Sequence, residues 1–365
     1  MSDILVDGTA TAFRLYDVGY EIDLDRVVAL LGAEARGRAR PARAEAQAFD
    51  IRHPPLSLAL GERDLVIAGE TRKGQLSAHL FDFGVCSLRI TVAAPAQSSW
   101  DRYTAFGQAF DAGASLASLC EREITALAQR IAPAIERPRM APVIEDYVVF
   151  RIERLTGAAA GQSATDLLTE ERVQPLLLGE QRPLSALARR ELLGSRFSYY
   201  ADDLVILTWD NALVVDPQSR DLDVEFVLEF ANAQLLELRV YDAELDSELP
   251  TLYDRISRAR RRWPWKRFSM VLTDVQITVG DITEIVERAD NAFKVTDDVY
   301  LARVYERALE LFREKAWRSG IDRKLSILRE TYAMLNAEAQ ASRAELLEAT
   351  IVFLIVVELI LALAR

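Results

Sequence analysis

Histidine and cysteine are almost missing from this chain. His53, His79, Cys86 and Cys120 are the only ones in 365 residues. Two dispersed cysteines exclude a disulfide framework and the usual zinc spacings. They read as small buried hydrophobes in a reducing compartment. His53 precedes Pro54-Pro55 in a loop and His79 lies in a strand, so both read as structural, and a Cys-His catalytic pair would arise only by accident. Walker-type phosphate loops, GxGxxG, HExxH, EF-hand loops and GxSxG are all missing as well. The start, "MSDILVDGTATAFRLYDVG", lacks the basic and apolar regions of a signal peptide, so the body is expected to be cytoplasmic. Positive charge is in deficit: 44 Lys and Arg face 56 Asp and Glu, a net −12. A contact with nucleic acid or anionic lipid would therefore need a local patch.

What is present is globular. Half the residues are apolar and 27% are charged, and the length allows two domains plus an appendage. "TAFRLYDVGYEI" predicts a strand, and "DLDRVVALLG" a short helix opened by Asp23 and closed by Gly32. "EARGRARPARAEAQ" reads as an Ala/Arg loop. "RDLVIAG" and "AHLFDFGVCSLRITVA" predict two strands around a turn at "ETRKGQ". Residues 99–131 read as one long helix, stopped by the proline-rich "APAIERPRMAP". The order strand, helix, strand, strand, long helix then repeats through "EDYVVFRIERL", "ALVVD" and the helix from Arg220.

The expected fold is therefore α+β. It has a first unit at 1–132, a linker at 133–143 and a second unit at 144–249. Each unit is an antiparallel sheet with helices on one face. A helical region and stalk fill 250–345. There Ile321, Leu325, Leu328, Tyr332, Leu335, Ala339, Ser342 and Leu346 recur at alternating steps of four and three. That spacing suits an αα-hairpin or an intermolecular coiled coil.

The last segment, 346–365, is strongly apolar. Leu346 to Ala364 is 19 residues, about 28 Å of helix against a hydrocarbon core of roughly 30 Å. We expect a C-terminal transmembrane anchor with the body cytoplasmic. A buried or oligomer-forming helix is the alternative. Glu358 opposes insertion by roughly 2.5 to 3.5 kcal/mol, less than the flanking aliphatics return. It is a candidate intramembrane contact with another protein helix.

"RARRRWPWKRF" is a basic-aromatic stretch in an acidic protein. Arg258, Arg260, Arg261, Arg262, Lys266 and Arg267 surround Trp263 and Trp265. Such a mixture suits anionic lipid headgroups or RNA. It would also suit the acidic helix that carries Asp221, Asp223, Glu225, Glu229 and Glu237. Asp202-Asp203 and Asp297-Asp298 could bind a divalent ion. They fit better a turn between strands and the cap of a helix starting at Val299. No cofactor or metal site is expected.

Three blocks in order, "LFDFGVCSLRI", "YYADDLVILTWDNALVV" with "LEFANAQLLELRVYD", and "AELLEATIVFLIVVELI", resemble the family named for "required for meiotic nuclear division". It includes fungal sporulation proteins, a mitochondrial inner-membrane protein that supports organellar translation, and uncharacterised bacterial members. The resemblance covers roughly residues 60 to 365. Leu88 and Ala349 depart from its pattern where aromatics are common. It implies a body held by a C-terminal anchor, no established enzymatic activity and no catalytic residue to carry over. A ribosome link would be analogy. The leading expectation is a non-enzymatic, membrane-anchored scaffold or tether that forms a homo-oligomer and meets an unknown protein partner. The alternatives are a carboxylate- or metal-dependent hydrolase or nuclease-like enzyme, and a soluble homo-oligomer bundled through its C-terminal helices.

Overall fold

The computed structural model describes residues 4–39, 49–51, 53–156, 162–217, 222–261, 277, 280, 293–295 and 299–363. It divides into two compact units. The first contains Met1–Val240 and Arg288–Lys315, the second Tyr241–Glu287 and Ala316–Arg365. The class is α+β, as expected, with a large antiparallel-rich sheet and helices at the C-terminus.

In chain order the strands of the first unit begin with β1 (Leu5–Asp17), β2 (Glu21–Ile22), β3 (Ala35–Arg38) and β4 (Phe49–Ile51). β5 (Leu56–Ile67), β6 (Glu70–Leu80), β7 (Val85–Ala93), β8 (Ser98–Ser99) and β9 (Ile135–Glu136) follow. Then come β10 (Ile144–Thr156), β11 (Arg196–Phe197), β12 (Leu204–Leu207), β13 (Asn211–Val215) and β14 (Phe293–Val295). The helices are α1 (Leu24–Leu31), α2 (Trp100–Asp111), α3 (Ala114–Ile131), α4 (Ala164–Leu167), α5 (Glu170–Leu178) and α6 (Ala186–Leu193). α7 (Asp223–Arg261) and a 50-residue α9 (Glu314–Leu363) each pass from one unit into the other, with α8 (Val299–Leu311) between them.

Strands from both halves of the sequence build one sheet, in the order β11-β12-β13-β10-β1-β7-β6-β5-β3, with β8 beside β1. β1 is the hinge of this order, antiparallel to β7 on one side and to β10 on the other. β10 meets β13 in parallel. The repeat read from the sequence is thus two stretches of chain that share a sheet.

Local chemistry explains most helix ends. Asp23 accepts a bond from Arg26 N at 3.0 Å and Gly32 closes α1 at φ 51°. Ser163 and Asp166 form a capping box at α4, and the Ser163 bonds hold the Asp166 carboxyl below its ordinary value. Ser185 caps α6 through Ala188 N.

Four local readings change. "ETRKGQ" is the start of β6, and the chain turns at Ala68-Gly69 instead. "AHLFDFGVCSLRITVA" is two strands broken at Phe81–Gly84, where Phe81 N bonds Val85 O. Gly84 sits at φ +97°, and a Cβ there would lie 2.0 Å from Gly19 O, so two backbones meet where only glycine fits. The segment read as one helix is α2 and α3, parted at Ala112-Gly113. The Ala/Arg stretch also begins as β3, paired with β5.

The two sheet faces differ. One carries Ala10, Ala12, Leu76, Ala78, Leu88, Ile90, Val148, Phe150 and Ile152 into the main apolar core, against Tyr103, Phe106 and Phe110 of α2 and residues of α3 and α5. The other meets α7. There Phe81 and Phe83 stand edge-on to Phe230 at 5.7 and 6.2 Å, and charged side chains lie among them. Because α7 is covered on nearly all sides from Phe226 to Val240, its carboxylates have no route to water.

In the helical unit, Ile321, Leu325 and Leu328 of α9 and Tyr241 and Leu245 of α7 are buried. Lys324 Nζ binds Asp242 and Asp246, each at 2.6 Å. The first part of the four-three stripe is therefore used within this unit, where α9 is held to α7.

Candidate functional site

Three places carry chemistry in the described residues. The first is the buried layer under α7. Period-two alternation sends His79 of β6, Arg89 of β7 and Arg151 of β10 to the same sheet face. Glu225 and Glu229, one helical turn apart, meet them. His79 Nδ1 lies 2.8 Å from Glu229 Oε2, Arg89 Nη1 lies 3.5 Å from the same oxygen, and Arg151 Nη1 donates to Glu225 Oε1 at 2.6 Å. Burial pushes the Glu229 carboxyl up, but His79 and Arg89, with bonds from His79 and Ser87, outweigh it and leave it below its ordinary value. Farther along, Arg239 pairs with Glu145. There burial wins, and the Glu145 carboxyl is pushed up to about 7. These groups pair with one another and fix α7 to the sheet, although among the described residues Glu225 Oε2 and Glu229 Oε1 are buried without a hydrogen-bond partner.

The sequence reading missed this layer. His79, expected to be structural, is buried against Glu229, and the acidic helix, for which the basic stretch was one candidate partner, meets cations of the sheet. The visible signal was a lone Arg inside each of two apolar strands, "SLRIT" and "VFRIE", together with two glutamates four apart in an otherwise apolar helix.

The second place is a cleft of about 950 Å³ formed by α2, α5, the β12–β13 turn and α8. Asn211 Nδ2 donates to Leu177 O at 3.0 Å and ties that turn to the end of α5. Asp111 and Asp210 border the cleft. Burial raises both carboxyls and Asp146 raises them further by repulsion, while Arg14 pulls Asp111 back. Arg307 is engaged by Ser195 Oγ at 2.8 Å and by Glu310, and Arg313 lies over Trp209 at 5.6 Å. Among the described residues no group of three His, Cys, Asp or Glu is arranged to hold a metal ion. Asp203 behaves as a turn residue, accepting from Tyr199 N at 2.7 Å just before β12. Asp297-Asp298 lie outside the described residues.

The third place is the C-terminal part of α9, which includes Glu358. It is helical, as expected, but it is no membrane span. Among the described residues no helix is long and apolar enough to cross a membrane. The uncharged stretch between Glu348 and Glu358 is nine residues, about 14 Å of helix where roughly 30 Å is needed. The expected transmembrane tail anchor, the single-pass location derived from it and the intramembrane role of Glu358 are therefore corrected. Of the basic-aromatic stretch, Arg258, Arg260 and Arg261 fall in the last turn of α7, whereas Arg262, Trp263, Trp265, Lys266 and Arg267 lie outside the described residues.

Residues 7–221, more than half of the chain, match the family described as "Uncharacterized protein MJ0711, N-terminal domain". The chain belongs to this uncharacterised family. The matched span takes in every strand of the large sheet and helices α1 to α6, so the shared part is the sheet with its apolar core. A relative from Methanocaldococcus jannaschii, also called uncharacterized protein MJ0711, is 29% identical over 175 residues. That alignment covers 48% of this chain, and the chain spans about half, 53%, of the curated relative it matches. No solved structure matches. The link to meiotic nuclear division is not confirmed by these comparisons.

Proposed function

We propose that the protein is a non-enzymatic scaffold whose C-terminal helical segment engages a protein partner. One observation supports this reading most. Between Leu347 and Leu361, ten large apolar side chains of α9 are 50–66% exposed. A lone chain seldom leaves more than a few hundred Å² of contiguous apolar surface in water, and larger patches are contact surfaces. The finer resemblance to the meiotic-division family belongs to this proposal, since a scaffold is in keeping with members that have no established enzymatic activity.

The test is the size of the assembly in native extract. Full-length protein should elute as a particle larger than one chain. A variant with Ile351, Phe353 and Leu354 all changed to Glu should elute as a single chain with an unchanged melting temperature. Full-length protein eluting as a single chain would overturn the scaffold reading.

A further inference from the structure

We infer that the partner is a second copy of this chain, joined through α9 in a parallel, in-register coiled coil over residues 335–363. This inference rests on the scaffold reading and names its partner.

The argument starts from the continuity of the helix. α9 runs unbroken from Glu314 to Leu363, with no Pro in it and no Gly after Gly320. The register set by the buried Ile321, Leu325 and Leu328 therefore carries on along one slowly winding stripe. Continuing the alternating steps of three and four beyond Leu346 reaches Ala349, Phe353, Val356, Ile360 and Leu363, all apolar. Phe353, Val356 and Ile360 are 66%, 50% and 60% exposed, so the seam is formed but uncovered there.

Glu358 then has a place. Two residues past Val356, it falls on the side of the helix farthest from the seam, where a carboxylate stays in water after two helices join. A partner that wrapped the whole helix would have to bury it.

The partner's identity follows from charge. In the sequence, Glu338 just precedes the seam position Ala339, and Arg343 just follows Ser342. Five residues is the spacing at which such flanking positions of two parallel, in-register helices face each other, so each copy offers an acid to the other's base. The chain is complementary to itself in that orientation. The small seam residues Ala339, Ser342 and Ala349 let two helices come close but contribute little burial, and the apolar end from Phe353 onward supplies the rest.

Light scattering and sedimentation equilibrium of the full-length protein test this. The mass should be an integral multiple, two-fold or more, of the 40.9 kDa chain. Val356→Glu with Ile360→Glu should return it to one chain with its helical circular-dichroism signal retained, since neither side chain is buried within the single chain. Glu358→Gln should leave the mass unchanged. Ala349→Cys should form a disulfide between copies under mild oxidation, because Cys86 and Cys120 are buried and parallel register places the two new thiols side by side. A multimer that persists in the Val356/Ile360 variant, a polydisperse aggregate, or no Ala349→Cys cross-link would overturn the inference. Purified protein at one-chain mass, with a segment-dependent larger particle in native extract, would overturn self-pairing and keep the scaffold. One-chain mass in both would overturn both.

Discussion

His79 and Glu229, 150 residues apart in sequence, meet at 2.8 Å in the interior of the first unit, where Glu229 is fully enclosed. Arg89 closes on the same carboxylate, and its guanidinium lies 5.3 Å from the centre of the Phe13 ring. The polar layer is thus embedded in an aromatic one. Its members depend on one another, because removing one leaves buried polar groups without their partner.

Glu229→Ala should cost about 3 to 5 kcal/mol in urea unfolding, the usual effect of stranding a buried cation. The acid limb is informative too. The Glu229 carboxyl lies below its ordinary value in the fold. Its contribution is therefore present above the unfolded carboxylate range near ~4.3 and is lost as pH falls through the folded value. Glu229→Gln should flatten the loss of stability as pH falls below the unfolded carboxylate range.

Glu145 should act in the opposite sense. Burial raises its carboxyl from 4.5 to about 7 even with Arg239 beside it. The folded state therefore binds the proton more tightly than the unfolded one, and stability falls as pH rises from about 4.5 to 7. The contribution is on the order of 3 kcal/mol at most. Melting temperatures of Glu145→Gln against wild type across that window should show the slope reduced.

Gly84→Ala should be more damaging than Gly69→Ala. Both have positive φ, +97° and +80°, but only at Gly84 does a Cβ meet backbone, at 2.0 Å from Gly19 O. We expect about 1 kcal/mol for Gly69→Ala, and at least about 3 kcal/mol for Gly84→Ala, since backbone must move. Chemical denaturation of the two variants side by side decides it.

Replacing Arg260, Arg261 and Arg262 with Ala should leave the melting temperature within about 1 °C of wild type. Glu225 and Glu229 already hold sheet cations, so the acidic helix does not need the basic stretch for neutralisation. A clear fall in melting temperature would mean that the stretch has a structural partner after all.

Much of the architecture was legible in the sequence because it depends on short-range chemistry. Asp23 and Gly32 bounded α1 since capping and left-handed backbone are properties of single residues. The strand around "YVVFRI" was legible for the same reason. The four-three stripe from Ile321 declared itself because a helix repeats its faces at fixed intervals. The apolar tail was visible too, but composition cannot say what covers it, and the nine uncharged residues between its glutamates proved too short for a membrane.

Tertiary structure alone decided which strands are neighbours. β1 pairs with β10 across more than a hundred residues, which turned an apparent repeat into one sheet. It also decided where charge is buried. Arg89, Arg151 and His79 look like surface residues by type, and only the pairing register that turns them to the same face, together with the docking of α7, makes them the interior partners of Glu225 and Glu229. The physical reason is range. Caps, turns and periodicity act within a few residues, whereas the energy of a buried ion depends on groups that the chain brings together only when the fold is complete.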